Sequence, residues 1–258
     1  MRALLILSIL FLIVMVVFVP ISYFWTARTL PALNSEFDLE RNLRGYIEGE
    51  RMGARAGLAP SERAPVDFQR PDLTRYPKDL VGLWISSWDC PTYFQTPRET
   101  GGKWAWRMFV AQFFNVPVPG DGRCERIFAL SIAQALKIKG GQAQAIAAHK
   151  IHNLLQKDQL VAYALATVTF ERSTIGVEDG ALRLFRRNVD TLKLEELAEL
   201  QLAMAPHYYF EDIRNCRNPS LIRQARDFVI SELAFDGLIP EDRARAAMAQ
   251  AVGCGKSR

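Results

Sequence analysis

Apolar residues recur three and four positions apart through the segment 157–203, as they do on the buried face of a helix. Breaks at Gly176 and before Thr191 divide this segment into three predicted helices. The apolar faces are Leu160, Val161, Ala164, Leu165 and Val168 in the first helix, Ala181, Leu182 and Phe185 in the second, and Leu194, Leu197, Ala198, Gln201 and Leu202 in the third. Three glutamates of the third helix, Glu195, Glu196 and Glu199, fall on the opposite face and are expected to meet solvent.

Upstream of this segment, apolar runs predict further helices around residues 83–85, over 127–138 and over 142–155. Loops rich in glycine and proline separate them. These patterns predict a helical globular domain that opens at residue 77.

Residues 3–25 contain no charged side chain. As a helix they would extend about 35 Å, enough to cross a hydrocarbon core of about 30 Å. The alternative is a cleaved signal peptide, whose apolar core is about 7–15 residues long and is followed by small residues. Here the apolar run is longer and ends in Tyr23-Phe24-Trp25, aromatic residues typical of a membrane interface. We therefore expect an uncleaved transmembrane helix.

Residues 28–76 connect this helix to the domain. Phe37, Leu39, Leu43, Tyr46 and Ile47 predict one amphipathic helix, and the glycines and prolines after it predict an irregular stretch. Since acidic and basic residues are balanced here, we expect a solvated stalk helix and linker, with packing onto the domain or the membrane as the alternative.

Composition excludes several functional classes. The 32 basic and 28 acidic residues leave a net charge of only +4, which gives no sign of nucleic-acid binding. The four cysteines lack the spacing of a zinc site. His149 and His152 lie three residues apart, but two ligands without a nearby carboxylate make a poor metal site. We expect neither a metal nor another cofactor.

Several short motifs follow one another in a recognisable order: KDQL (157–160), IGVE (175–178), LF (184–185) and LKLEELA (192–198), then Pro206, Asn218-Pro219, Arg226, Val229-Ile230 and GLIPE (237–241). Together they resemble the latter half of glycosyltransferase family 51, the peptidoglycan transglycosylases. The resemblance covers roughly residues 77–251, which are therefore predicted to be one all-α domain, followed by a short tail, 252–258. It implies a lysozyme-like helical fold on the periplasmic side of the cytoplasmic membrane. It also implies lipid-linked peptidoglycan precursor or glycan strand as ligand, and other cell-wall synthesis proteins as possible partners.

The family's catalytic motifs match this chain poorly. Joining sugars needs a carboxylate as general base and cations for the departing pyrophosphate. The family's Glu-Asp pair falls on Trp88-Asp89, so that only Asp89 survives. Its Arg-Lys-x-x-Glu motif falls on residues 140–144, where the second glutamate is Gln144 and the cations are absent. A neutral amide cannot act as a base.

The family's Gly-Gly-Ser-Thr segment falls near 122–125, where Gly122 is preserved, and a shifted register would use Ser131 and Gln134. The resemblance thus gives Asp89 as the remaining catalytic candidate. The candidate substrate-binding residues are Gly122, Glu125, Gln134, Lys150 and Lys157. The resemblance also places Cys90 and Cys124 beside the cleft, which implies a disulfide between them and leaves Cys216–Cys254 as a second pair.

We therefore interpret the chain as a single-pass membrane protein whose transglycosylase-like domain has impaired or lost catalysis and serves in binding or scaffolding. One alternative is an active polymerase with a site rebuilt from Asp89, Glu125 and Lys150. A second is a lysozyme-type hydrolase with Glu125 as its acid.

The aromatic cluster in 104–114 is expected either to contact lipid or to fill the core. Residues Gly253–Ser257 are interpreted as a tail and not as a phosphate-binding loop.

Overall fold

The computed structural model describes residues 21, 23–55, 70–98, 122–171, 174–204 and 209–253. Over these residues the fold is helical except for one antiparallel hairpin, which confirms the predicted helical class. The helices are α1 (Glu36–Arg55), α2 (Lys78–Ser87), α3 (Arg123–Ala135), α4 (Gly141–Leu154), α5 (Lys157–Thr167), α6 (Val177–Phe185), α7 (Leu194–Met204), α8 (Phe210–Asn215), α9 (Pro219–Phe235) and α10 (Glu241–Met248). The strands are β1 (Thr169–Glu171) and β2 (Thr174–Ile175), and 3-10 turns occupy Leu73–Arg75 and Val189–Thr191.

Helix α7 lies at the centre of the core. It is rich in leucine, alanine and glutamate, which favour the helix, and it contacts α2, α6, α8, α9 and α10. Every residue from Glu196 to Met204 is buried, so this helix has no solvent face. The expectation that Glu196 and Glu199 meet solvent is therefore wrong, whereas Glu195 is half-buried.

The two buried glutamates of α7 are compensated by arginines. Glu196 accepts two hydrogen bonds of 2.9 Å from Arg187 Nη1. Glu199 lies 3.5 Å from Arg226 Nη1 of α9, and both side chains are fully buried. Arg226 also donates to the carbonyls of Met248 and Gln250, while Gly253 N donates to Glu199. This pair therefore holds the last described residues against the core.

Helices α3, α4 and α5 form a second packed group. In α5 every residue from Leu160 to Thr167 is buried, and Gln156 and Gln159 form a reciprocal capping box at its start. Helix α3 buries Phe128, Ala129, Ile132 and Ala133 completely. Since these residues belong to the same core cluster as α7, the group is continuous with the rest of the domain.

Helix α1 is present as predicted, but it is not a solvated stalk. Leu39, Leu43 and Ile47, spaced four residues apart, are at most 1% exposed. The hydroxyl of Tyr163 in α5 donates to Glu40 Oε1 at 2.9 Å, so polar contacts add to this packing. The expectation of a solvated stalk was wrong because the balanced charges on the polar face of a helix do not indicate what its apolar face packs against.

The hairpin was not predicted. The sequence places a helix up to Gly176, yet α5 ends at Thr167 and β1 begins at Thr169. The β-branched run Thr167-Val168-Thr169 favours an extended backbone over a helix. Gly176 has a φ of +88°, and a Cβ there would lie 2.7 Å from the Ala166 carbonyl oxygen, so the turn requires glycine.

In the described part of the chain, no helix has the length and apolarity needed to cross a membrane. Residues 23–29 are helical, while residues 1–20, which make up most of the expected transmembrane helix, lie outside the described residues. The aromatic cluster in 104–114 and the tail beyond 253 lie outside them as well.

The hairpin provides a test of core packing. Phe170 of β1 is fully buried, and a Cβ added at Gly180 of α6 would lie 2.5 Å from its ring. We expect Gly180→Ala to lower the free energy of unfolding by about 1–3 kcal/mol, since the ring must move in a packed core. Chemical denaturation of the detergent-solubilised chain would measure this.

Gly45→Ala in α1 is the matched control, because a Cβ there has no neighbour within 4 Å. It should leave stability unchanged or raise it by up to about 1 kcal/mol. Equal stability of the two variants would contradict the packing of Phe170 on Gly180.

The buried pair of Glu199 on α7 and Arg226 on α9 predicts that the stability of the protein depends on pH. Burial raises the pKa of the Glu199 carboxyl above its ordinary value, against the lowering effect of the Gly253 N–H and Arg226. The folded state therefore holds a proton at a pH where the unfolded chain has lost it. This contribution to stability is complete below about pH 4.3, the ordinary glutamate pKa, and disappears as the pH rises through the raised folded-state pKa.

Glu199→Gln removes this titration. The free energy of unfolding of the parent minus that of the variant should be largest at the acidic end and fall as the pH rises. Denaturation curves of both proteins across that range would measure the difference. A difference that is constant or rises with pH would contradict the assignment.

Candidate functional site: a cleft without carboxylates beside a buried charge cluster

A cleft of about 640 Å³ lies between α1, α2, α3, α5 and α7. The described residues that line it are Tyr46, Trp84, Ser87, Trp88, Ile127, Leu130, Ser131, Gln134, Ala135, Lys137, Thr167, Val168, Thr169, Gln201 and Met204. None of these lining residues carries a carboxylate, and Lys137 is the one charged side chain among them. The cleft is thus largely apolar, with neutral hydrogen-bonding groups.

Trp88, predicted to replace the general base, does line this cleft. It is the residue at which α2 ends, and its side chain is 38% exposed. Its ring meets that of Trp84 edge to face at 6.1 Å between centroids, and Trp84 in turn stacks on Phe128 at 6.3 Å. An aromatic surface therefore borders the cleft where α2 ends.

Asp89 does not line the cleft. Its φ of +60° is left-handed, a conformation that aspartate tolerates better than most residues. Asp89 N donates to Ser86 O and Cys90 N to Ile85 O, the two bonds of a Schellman motif that closes α2. The carboxylate is 85% exposed, 3.5 Å from Arg123 Nη1. Its observed role is therefore to end a helix.

A disulfide joins the two segments beside the cleft. Cys90, just after the α2 turn, is bonded to Cys124 in the first turn of α3, which is the pairing that the resemblance implied. Both cysteines are buried. Cys216 is also disulfide-bonded, and its expected partner Cys254 lies outside the described residues.

Glu125, a predicted substrate-binding residue, lies behind this disulfide with 1% of its side chain exposed. Its Oε2 is 2.5 Å from His152 Nε2 of α4, and its Oε1 is 3.4 Å from Lys157 Nζ of α5. The three side chains bring α3, α4 and α5 together. A carboxylate so enclosed is not available to a ligand in the cleft.

Lys157, another predicted substrate-binding residue, is committed to the same cluster. Its ammonium donates to the carbonyls of Tyr93 and Thr96 at 2.6 and 2.7 Å. Arg98 donates to the carbonyls of His152 and Leu155. These bonds fix the segment 91–98 over α4 and α5 and thereby support the turn that carries Trp88.

The remaining predicted site residues are dispersed. Gln134 and Ser131, the two residues of the shifted register, both line the cleft. Gln144 donates to Ile138 O at 2.8 Å and ties the start of α4 to the preceding loop. Gly122 is the buried residue that precedes α3, and Lys150 is half-buried on α4. None of these last three belongs to the cleft lining.

Most of the cleft lining was not predicted from the sequence as part of a site, including Tyr46, Trp84, Lys137 and Gln201. Tyr46 was seen only as part of an amphipathic helix. Gln201 carried a usable signal, because it is a polar side chain on an otherwise apolar helix face. Its 7% exposure shows that this face is indeed buried. Across the described residues, no group of three or more histidine, cysteine, aspartate or glutamate side chains is arranged to hold a metal ion.

Comparison with known proteins finds a family match for part of this core. Residues 127–234 match the sequence model of the family described as Transglycosylase. These residues form a transglycosylase-family domain. Over 106 residues the chain is 31% identical to Penicillin-binding protein 1A of Rickettsia conorii and 30% identical to that of Rickettsia felis. Those 106 residues are 41% of this chain but 13% of either relative, so the chain covers a small part of these proteins.

The matched part of the transglycosylase domain, 127–234, contains α4 to α8, the hairpin and most of α3 and α9. The described structure is the helical, lysozyme-like type that the resemblance implied. Trp88 and Asp89 precede the matched residues. Their alignment with the family's Glu-Asp pair therefore stays a prediction.

The charge cluster gives a test of the domain's structure. We expect Glu125→Leu to lower the free energy of unfolding by about 3 kcal/mol, because it leaves Lys157 and His152 without their buried carboxylate. Thermal and chemical denaturation under non-reducing conditions, which keep the disulfide, would measure this. Glu241→Leu in the exposed first turn of α10 is the control, with an expected change below about 1 kcal/mol. A Glu125→Leu variant as stable as its parent would contradict a structural role for this carboxylate.

Proposed function

We propose that this protein is a transglycosylase-family member of cell-wall glycan synthesis that binds its ligand without polymerising it. Its ligand is the lipid-linked peptidoglycan precursor or a glycan strand. Its place is the cytoplasmic membrane, with residues 3–25 as a single transmembrane helix and the domain on the periplasmic side. Binding would hold precursor or strand for other cell-wall synthesis proteins.

The observation that carries this proposal is the lining of the cleft. A general base must lie within hydrogen-bond distance of the hydroxyl it deprotonates. Apart from Lys137, the described lining offers aromatic, apolar and neutral polar groups, and it offers no carboxylate. Loss of a general base costs about 10²–10⁴-fold in rate, and loss of the cations that stabilise the leaving pyrophosphate adds to it.

The alternatives with catalysis need one of the nearby carboxylates. Asp89 is exposed outside the cleft lining and close to Arg123, while Glu125 is enclosed by His152 and Lys157. An active polymerase built on either residue would need the turn after α2 or the start of α3 to rearrange. The same enclosure argues against Glu125 as the acid of a hydrolase, since that acid must reach the glycosidic oxygen.

Polymerisation of labelled lipid-linked disaccharide by the full-length chain in detergent tests the proposal. We expect no glycan strands, together with saturable binding of the same precursor. Asp89→Asn is the control, and it should behave as the parent does because Asp89 lies outside the cleft lining.

Glycan strands made by the parent would contradict the proposal, and their loss in Asp89→Asn would identify Asp89 as the base. Absence of both product and binding would also contradict it and would leave a protein partner as the function of the domain.

A further inference from the structure

The charges of the cleft bear on which part of a lipid-linked glycan it can hold. A pyrophosphate is multiply charged and is recognised through several cationic or charge-assisted donors. Among the described lining residues, Lys137 is the one cation, and its ammonium lies 5.2 Å from the centroid of the Tyr46 ring. A single lysine on this ring is a weak basis for binding a pyrophosphate.

The aromatic residues of the cleft fit a different chemistry. Trp84 and Trp88 form an edge-to-face pair, and Trp88 is 38% exposed where it borders the cleft. Tyr46 lines the cleft as well. Sugar rings present apolar C–H faces, which pack on aromatic rings because such rings offer large, rigid apolar area with few rotatable bonds.

Two polar atoms in cleft-lining side chains lack partners in the described structure. Trp84 Nε1, a donor, and Gln201 Oε1, an acceptor, are buried and make no hydrogen bond. Their side chains are 4% and 7% exposed. Buried polar groups are normally satisfied, so an unsatisfied donor and acceptor around one cleft indicate a ligand that offers both functions. An acetamido group or a sugar hydroxyl offers both and carries no charge.

We propose that the cleft recognises the uncharged acetamido-sugar portion of a glycan and does not require the lipid pyrophosphate. This inference rests on the proposed function and narrows it. Stacking on Trp88 supplies the contact area, while Ser131, Gln134 and Gln201 supply neutral hydrogen bonds. The expected ligand is thus a saccharide strand, and a lipid-linked precursor would bind through its sugars alone.

Competition binding tests this with three probes. The full-length chain in detergent is loaded with fluorescent lipid-linked disaccharide and titrated with an N-acetylglucosamine hexasaccharide or with a polyprenyl pyrophosphate that carries no sugar. We expect the hexasaccharide to displace the precursor completely and the polyprenyl pyrophosphate to displace none of it. Raising the salt from 50 to 500 mM should change the hexasaccharide affinity by less than about threefold, because screening acts on charges.

Two variants show whether the contact is at the cleft. Trp88→Ala should weaken hexasaccharide binding by at least about tenfold, and Trp88→Phe should retain it within about threefold, because the aromatic face is kept. Phe235→Ala is the matched control, since this ring is 87% exposed at the end of α9 and does not line the cleft. It should change binding by less than about twofold. Near-ultraviolet circular dichroism would check that each variant is folded.

Each result decides between the two proposals. Displacement by the polyprenyl pyrophosphate but not by the hexasaccharide overturns this inference and leaves the proposed function intact. Precursor binding that neither probe displaces also overturns it, since both parts would then be needed together. Failure of the precursor itself to bind overturns the inference and the proposed function at once. Equal binding by Trp88→Ala and its parent would place the saccharide elsewhere.

Discussion

A carboxylate buried in a helical core is costly unless charge and hydrogen bonds compensate it, and the structure around the cleft depends on one such compensation. Glu125 of α3 is enclosed by His152 of α4 and Lys157 of α5. Lys157 in turn holds the carbonyls of Tyr93 and Thr96. Three helices and the segment 91–98 are therefore fixed by one set of polar contacts.

The disulfide and this cluster act on the same short region. Cys90–Cys124 ties the turn after α2 to the start of α3, and the next residue along α3 is Glu125. Trp88 precedes Cys90 by two residues, so its position at the cleft is held from both directions. Glu125 and Lys157, which the resemblance gave as candidate substrate-binding residues, are engaged with each other and with neighbouring groups of the protein in this arrangement.

The sequence predicted the helices well because most of them bury a periodic apolar face. The prediction from sequence was wrong where a helix is buried on more than one face. Helix α7 is enclosed on all sides, so its glutamates could not be read as a solvent face. The partner of Glu199 is Arg226, 27 residues away, and nothing local indicates that pairing. The hairpin was not predicted because its signal is local but weak. It consists of a β-branched run that is too short to outweigh the helical pattern around it.

Only those residues of the cleft that lie in or near a local sequence motif could be predicted from the sequence. Trp88 lines the cleft at the end of α2, two residues before Cys90. Tyr46 and Gln201 come from α1 and α7, which the fold brings to the same cleft from more than 150 positions apart. Such contributions cannot be recovered from spacing, since they depend on how helices pack and not on where they begin or end.

The contribution of α1 changes how the cleft is to be understood. Its leucines are part of the domain core, and Tyr46 on the same helix forms one wall of the cleft beside Lys137. The ring and the ammonium attract each other, so the single cation of the described lining is partly engaged within the protein. The described lining of the cleft thus combines one lysine, which faces tyrosine, with no carboxylate. The rest of this lining is aromatic and apolar area with neutral hydrogen-bonding groups, and it is the basis of the sugar binding proposed above.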